Sequence, residues 1–141
     1  MLLRFATLAT AAVLTSLVVP DRASAGAQLH GFRTPSGNIG CMAANQDGRW
    51  ELRCDIGEKE WSGPAVRDCE LDTGDSMGMN ATGRPYAVCH GDTVLGQGAA
   101  LAYGTTWRAG PFNCTSQRTG VTCRNRAQHG FTLSRTSYRM F

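Results

Sequence analysis

Apolar and polar residues alternate along much of the chain with a period of two, the spacing of side chains on a half-buried strand. Trp50-Glu51-Leu52-Arg53-Cys54-Asp55-Ile56 keeps the alternation unbroken, and Ile39, Cys41 and Ala43 hold the same period upstream. Between them lies Asn45-Gln46-Asp47-Gly48-Arg49. Asp-Gly is a signature of two-residue hairpin loops, whose two positions need positive φ. With that loop, Gln46 faces Arg49, Asn45 faces Trp50 and Ala43 faces Leu52. Cys41 then falls opposite Cys54 in a non-hydrogen-bonded pair, where Cα atoms approach to about 4.5 Å. A disulfide spans that distance. Turn chemistry and cysteine placement converge on the same register.

A second hairpin is expected over residues 112–123. A four-residue loop from Gln117 to Gly120, with Gly120 left-handed, sets Ser116 opposite Val121 and Cys114 opposite Cys123. A three-residue loop would miss that pairing by one residue. Elimination leaves Cys69 with Cys89. Further strands are expected at 86–90, at 93–95 after a tight Gly91-Asp92 turn, at 99–103 and at 130–135. Residues 70–85 show no usable period and read as an irregular surface loop. No stretch after residue 25 reads as a helix of three turns. The fold class is all-β: a small single-domain antiparallel sheet, sandwich or barrel-like, with disulfide-linked hairpins.

Composition adds the compartment. All six cysteines lie downstream of an N-terminal segment with the three parts of an export signal. Arg4 supplies the charge, Phe5 to Val19 the apolar run and Ala23-Ser24-Ala25 the small-residue cleavage site. The run has 15 residues, short of the roughly 20 that span a bilayer. Residues 1–25 therefore read as a cleaved signal peptide, with no membrane span left afterwards. Residues 26–141 are enough for one disulfide-stabilised domain. An even cysteine count in an exported chain implies three structural disulfides in a secreted or envelope-located protein.

Charge divides the chain. Residues 47–75 hold nine acidic and four basic side chains, whereas residues 76–141 hold seven arginines against Asp92 alone. Interleaved strands would fold the two halves together and neutralise them. The other reading is a basic face for an anionic partner. The preference for arginine over a single lysine does not by itself indicate nucleic acid.

Candidate chemistry is sparse. Cys89-His90 beside Asp92 would suggest a thiol nucleophile, but strand neighbours point to opposite faces and the disulfides leave no spare thiol. His30, His90 and His129 have no metal-motif spacing. Met77-Gly78-Met79 offers two thioethers of the kind copper(I) accepts, without a third ligand. Ser36 follows Pro35, so Thr34-Pro35-Ser36-Gly37-Asn38 is turn chemistry rather than a nucleophile elbow. No catalytic, cofactor-binding or metal residue is assigned. Trp50 shares the phase of Leu52 and Cys54 and belongs to the core. The candidate binding surface is Trp61, in a polar turn-like segment, with Tyr103, Trp107, Arg124 and Arg126.

Phe32-x-Thr34-Pro35-Ser36-Gly37-Asn38-Ile39-x-Cys41 followed by Leu52-Arg53-Cys54 resembles the opening of a known family. Cys89-x-Gly91-Asp92-Thr93, Leu101-x-Tyr103-Gly104, Gly120-Val121-x-Cys123-x-Asn125 and His129-Gly130-Phe131-x-Leu133-Ser134-Arg135 continue the likeness. The family comprises small exported domains of unknown function, common in high-GC Gram-positive bacteria. The resemblance implies a secreted or envelope-associated role and brings no substrate or catalytic residue. The expectation is a non-enzymatic binding module for envelope polymer or another exported protein. A hydrolase built from separated His, Asp and Ser residues is the alternative class, and a structural protein without small ligand the third.

Overall fold

Residues 26–141 are described in the computed structural model, so the expected export signal and its expected cleavage after Ala25 lie outside the described residues. Among the described residues, eleven strands and no helix follow one another. The first group is β1 (Gln28–Arg33), β2 (Ile39–Gln46), β3 (Arg49–Ile56), β4 (Ser76–Asn80), β5 (Tyr86–Ala87) and β6 (Ala99–Ala100). The second is β7 (Thr106–Ala109), β8 (Phe112–Gln117), β9 (Gly120–Arg124), β10 (Gly130–Leu133) and β11 (Tyr138–Met140). They form a six-stranded sheet in the order β5-β4-β3-β2-β1-β6 and a five-stranded sheet in the order β11-β10-β9-β8-β7. Every pairing is antiparallel except β1 with β6.

Each sheet turns one face inward, and the two faces share a single core. Phe32, Ile39, Cys41, Leu52, Cys54, Met77 and Met79 meet Phe112, Cys114, Val121, Cys123, Phe131 and Leu133, all fully or nearly fully buried. Aromatic contacts cross the gap: Phe32 packs on Trp107 with ring centres 5.0 Å apart, and Trp50 meets Phe112 edge-on. The expected all-β class is the one formed, and of the sheet, sandwich and barrel-like forms it is a two-sheet arrangement.

Asp47 and Gly48 take positive φ of 52° and 82°, as the two-residue loop requires, and Cys41 pairs with Cys54 in the expected register. Their Cα atoms are 4.1 Å apart, as are those of Cys114 and Cys123. Cys69 is joined to Cys89, so all three bridges form. The Cys54 and Cys123 sulfurs touch across the core at 3.8 Å, so one cystine from each sheet stacks at the centre.

The second hairpin corrects the loop while keeping the register. Gln117 pairs with Gly120, so the loop is Arg118-Thr119 rather than four residues. Gly120 has φ of 146°, and a Cβ there would meet the Leu133 carbonyl oxygen at 2.0 Å. Only glycine lets β10 approach this turn so closely.

Residues 70–85 are not an irregular loop. Ser76–Asn80 is β4, paired along its length with β3, and Met77 and Met79 lie wholly in the core. The alternation Met-Gly-Met carries the period of two, but methionine and glycine are not strand-favouring types. Gly78 faces outward and the Tyr86 ring lies over it, 2.8 Å from where a Cβ would stand. The two methionines are therefore packing residues, not loop thioethers. Of residues 86–90 only Tyr86–Ala87 is a strand, and His90 makes an isolated bridge to Asp72. Residues 93–95 form no strand, and 99–103 shortens to Ala99–Ala100. Strands β1, β7 and β11 were not anticipated. Each is an edge or near-edge element with few core positions.

Two outcomes follow. Met79→Ala costs about 2–5 kcal/mol in chemical denaturation, as for a buried large-to-small change; a loss below about 0.5 kcal/mol contradicts the placement of β4. Reducing the bridges lowers the melting temperature sharply, since each contributes about 2–4 kcal/mol to a domain stable by about 5–15 kcal/mol. An unchanged melting temperature with three pairs of free thiols confirmed contradicts the structural role.

Candidate functional site

The five residues expected to share a binding surface separate. Trp61 is half-buried, donates its indole N–H to the Ser134 carbonyl at 2.8 Å and packs on Tyr138. Trp107 lies on the inner face of β7 against Phe32. Both are anchored within the fold. Arg124 is exposed on the outer face of the five-stranded sheet, and Arg126 on the turn after β9. That turn is held by Asn125, which is fully buried. Its Nδ2 donates to Asn80 O and Gly83 O, and its Oδ1 accepts from Ala127 N and His129 N.

Tyr103 lines a cleft of about 450 Å³ at one end of the sandwich. The β1–β2 turn supplies Thr34, Ser36, Gly37 and Asn38, the β8–β9 turn supplies Gln117 to Gly120, and Glu58 and Arg135 close the rim. The first turn is rigid: Thr34 Oγ1 donates to Ile39 O and accepts from Ile39 N. Asn38 clasps Glu58 from both sides, Nδ2 donating to its carbonyl and Oδ1 accepting its N–H. Arg135 bridges Glu58 at 3.2 Å and Glu60 at 3.6 Å. Arg118 lies over the Tyr103 ring, 5.1 Å from its centre. Arg118, Gln117, Thr119 and the Tyr103 hydroxyl make no side-chain hydrogen bond among the described residues, so their polar groups face the cleft unspent. Sequence reasoning found Tyr103 but missed this grouping, because its members come from five separate segments.

The other polar cluster is structural. Asp55 is buried and accepts from Arg53, Ser76 Oγ, Thr93 Oγ1 and Val94 N. Burial acts to raise its pKa, yet these donors and the Arg53 charge prevail and hold it below the usual carboxylate range. Arg53 reaches on to Asp92 at 2.8 Å, which ties the segment after β5 onto β3. His90 is buried in the same region, with Nδ1 2.6 Å from the Asp92 carbonyl oxygen and Nε2 2.8 Å from Asp75 Oδ1. Both ring nitrogens are thus engaged. Among the described residues no histidine nitrogen is hydrogen-bonded to a serine or threonine hydroxyl. The sulfurs of Cys41, Cys54 and Cys123 cluster, but disulfide bonding withholds them from a metal.

The seven arginines of the second half do not neutralise the acidic first half. Among the described residues only Arg135 of these reaches a carboxylate, while Asp55, Asp75 and Asp92 are taken by Arg53 and His90. Apart from Asp47 in the β2–β3 turn and Asp92 after β5, the acidic residues among those described lie on β3 and the segment after it, and the strands of the five-stranded sheet carry none.

These features define an all-β, cystine-centred sandwich of a kind consistent with an extracellular protein; no helix among the described residues is long and apolar enough to cross a membrane. Residues 11–141 match a family of unknown function, DUF6636, and the chain belongs to that family. No curated protein and no solved structure matches it.

Burial opposes a charge on the His90 ring, but the hydrogen bond to Asp75, the one to the Asp92 carbonyl and the Asp75 charge outweigh it and the repulsion from Arg53. The pKa therefore lies above its ordinary value. The folded state binds the proton more tightly, so this stability is full below about pH 6.5 and fades as pH rises through the higher folded value. Melting measured from pH 5.5 to 8.5 should show a downward slope that His90→Gln flattens. An identical slope in both proteins rules the linkage out.

Proposed function

We propose that the protein is a non-enzymatic binding module acting outside the cytoplasmic membrane, and that the end cleft takes a polar, hydroxyl-rich unit of an envelope polymer. The observation that carries this reading is the cleft itself. A tyrosine ring overlaid by a guanidinium, with an amide and hydroxyls beside it, offers stacking and directional hydrogen bonds together. A rigid turn backs them, so little ordering is needed on binding. Segments that carry the family resemblance meet here: Thr34 to Ile39, Tyr103, Gly120 and Arg135. That convergence supports a recognition role for the cleft. The hydrolase alternative is disfavoured by the engagement of both His90 nitrogens with Asp75 and Asp92, which leaves that ring no serine or water to activate.

Retention of the purified, disulfide-bonded protein on isolated envelope polysaccharide tests the reading. Tyr103→Ala and Gln117→Ala should each weaken retention about tenfold, equivalent to roughly 1.4 kcal/mol, with melting unchanged. Undiminished retention in both variants refutes the cleft as the site. Release of polymer fragments that His90→Gln abolishes would install the hydrolase instead.

A further inference from the structure

The outer face of the five-stranded sheet carries an ordered array that the cleft does not use. Pairing sets Thr106 opposite Thr115, Thr115 opposite Thr122, and Thr122 opposite Thr132. Four threonines from four adjacent strands therefore form one row, which Arg139 on β11 extends. Thr106 and Thr115 hydroxyl oxygens are 3.1 Å apart, as are those of Thr122 and Thr132. The next row along the strands holds Arg108, Asn113 and Arg124. Arg108 donates to Asn113 Oδ1, and Arg124 reaches the Gln128 carbonyl at 3.5 Å. Arg124 and Arg139 converge on the Phe141 ring, 4.5 and 5.2 Å from its centre.

The charge here is single-signed and held in place. Arg108, Arg124 and Arg139 form no salt bridge among the described residues, and no strand of this sheet contains an aspartate or glutamate. Neighbouring strands are about 4.8 Å apart, so Arg108 and Arg124, two strands apart, stand about 10 Å apart. A guanidinium stacked on a phenyl ring keeps its N–H edge free for a bidentate anion. Arginine, threonine and asparagine side chains are among the types that contact phosphate oxygens. A carboxylate is satisfied by one guanidinium and would leave the hydroxyl row idle. Single-stranded nucleic acid wants exposed aromatic platforms for its bases, whereas the Phe141 ring is already covered by Arg124 and Arg139.

We infer that this face docks a linear phosphodiester polymer without bases, with phosphates on Arg108, Arg124 and Arg139 and backbone oxygens along the threonine row. The site is separate from the cleft and does not rest on the reading given for it.

Binding of synthetic poly(glycerol phosphate) to the purified disulfide-bonded protein, titrated across salt concentrations, tests the inference. Polygalacturonate, single-stranded DNA and neutral dextran serve as comparison ligands. The wild type should bind poly(glycerol phosphate) most tightly, with affinity falling steeply as salt rises. Arg124→Gln with Arg139→Gln should cut affinity at least tenfold and flatten the salt slope by about one per arginine. Thr115→Val with Thr122→Val keeps the strand shape, removes two hydroxyls and should cost about threefold or more. Arg49→Gln, which removes one positive charge from the other sheet, and Tyr103→Ala in the cleft should leave binding intact. Melting curves confirm that each variant is folded. Equal loss with Arg49→Gln, no loss in the arginine pair, or tighter binding of polygalacturonate or DNA overturns the proposal.

Discussion

The contact between two cystines at the centre of the sandwich is the constraint on which the rest depends. Cys41–Cys54 closes the β2–β3 hairpin and Cys114–Cys123 the β8–β9 hairpin, and their sulfurs meet where the sheets face one another. Chain entropy alone does not explain this placement. Loops of 13, 9 and 20 residues differ in predicted stabilisation by less than about 1 kcal/mol. What distinguishes the central pair is packing: all four cysteines are completely buried. The cross-linked side chains occupy the centre, and Phe32, Phe112 and Phe131 complete the same buried core. The third bridge has another task. It ties together the segments on either side of β4 and β5, where ladder hydrogen bonds are few.

The same two-layer plan separates charge. Strand β3 and the segment after it concentrate the acidic residues on the six-stranded side, where Asp55 and His90 spend their charge on holding the segment after β5. The five-stranded side is left basic. Antiparallel strands within one sheet come from one region of sequence, so an uneven sequence gives an uneven molecule. Strands β4, β5 and β6 of the second half do join the acidic sheet, but they carry no arginine, so most of the basic residues stay with the five-stranded side. Arg135 is the exception because it lies beyond β10, at the rim where the sheets meet the Glu58 turn.

What was legible in the sequence follows from this division. The β2–β3 hairpin was readable because Asp47-Gly48, the unbroken alternation and the cysteine pair each fix the same register. The β8–β9 pairing was readable even though its loop is two residues shorter than expected, since the cysteines impose the same pairing sum. Strand β4 was hidden because Gly78 owes its place to a tyrosine eight residues away, a tertiary fact no local pattern carries. The cleft was illegible for the related reason that Tyr103, Arg118, Glu58 and Asn38 converge only after both sheets have formed. Trp61 and Trp107 are anchored by contacts across the fold, to Ser134 and Tyr138 and to Phe32, that a local sequence neighbourhood does not carry.

Register links the buried centre to the exposed faces. Cys114 and Cys123 point inward, so their neighbours Thr115 and Thr122 must point outward and stand opposite one another. A slip of one residue in this hairpin would exchange the two faces, putting hydroxyls in the core and sulfurs in water. It would also break the alignment that β7 and β10 extend to Thr106 and Thr132. The bridge therefore sets the outer row of hydroxyls as firmly as the inner stack of sulfurs. The neighbouring row of Arg108, Asn113 and Arg124 is fixed by the same count. A surface that could have shifted among several pairings is held to one by a bond that it does not expose.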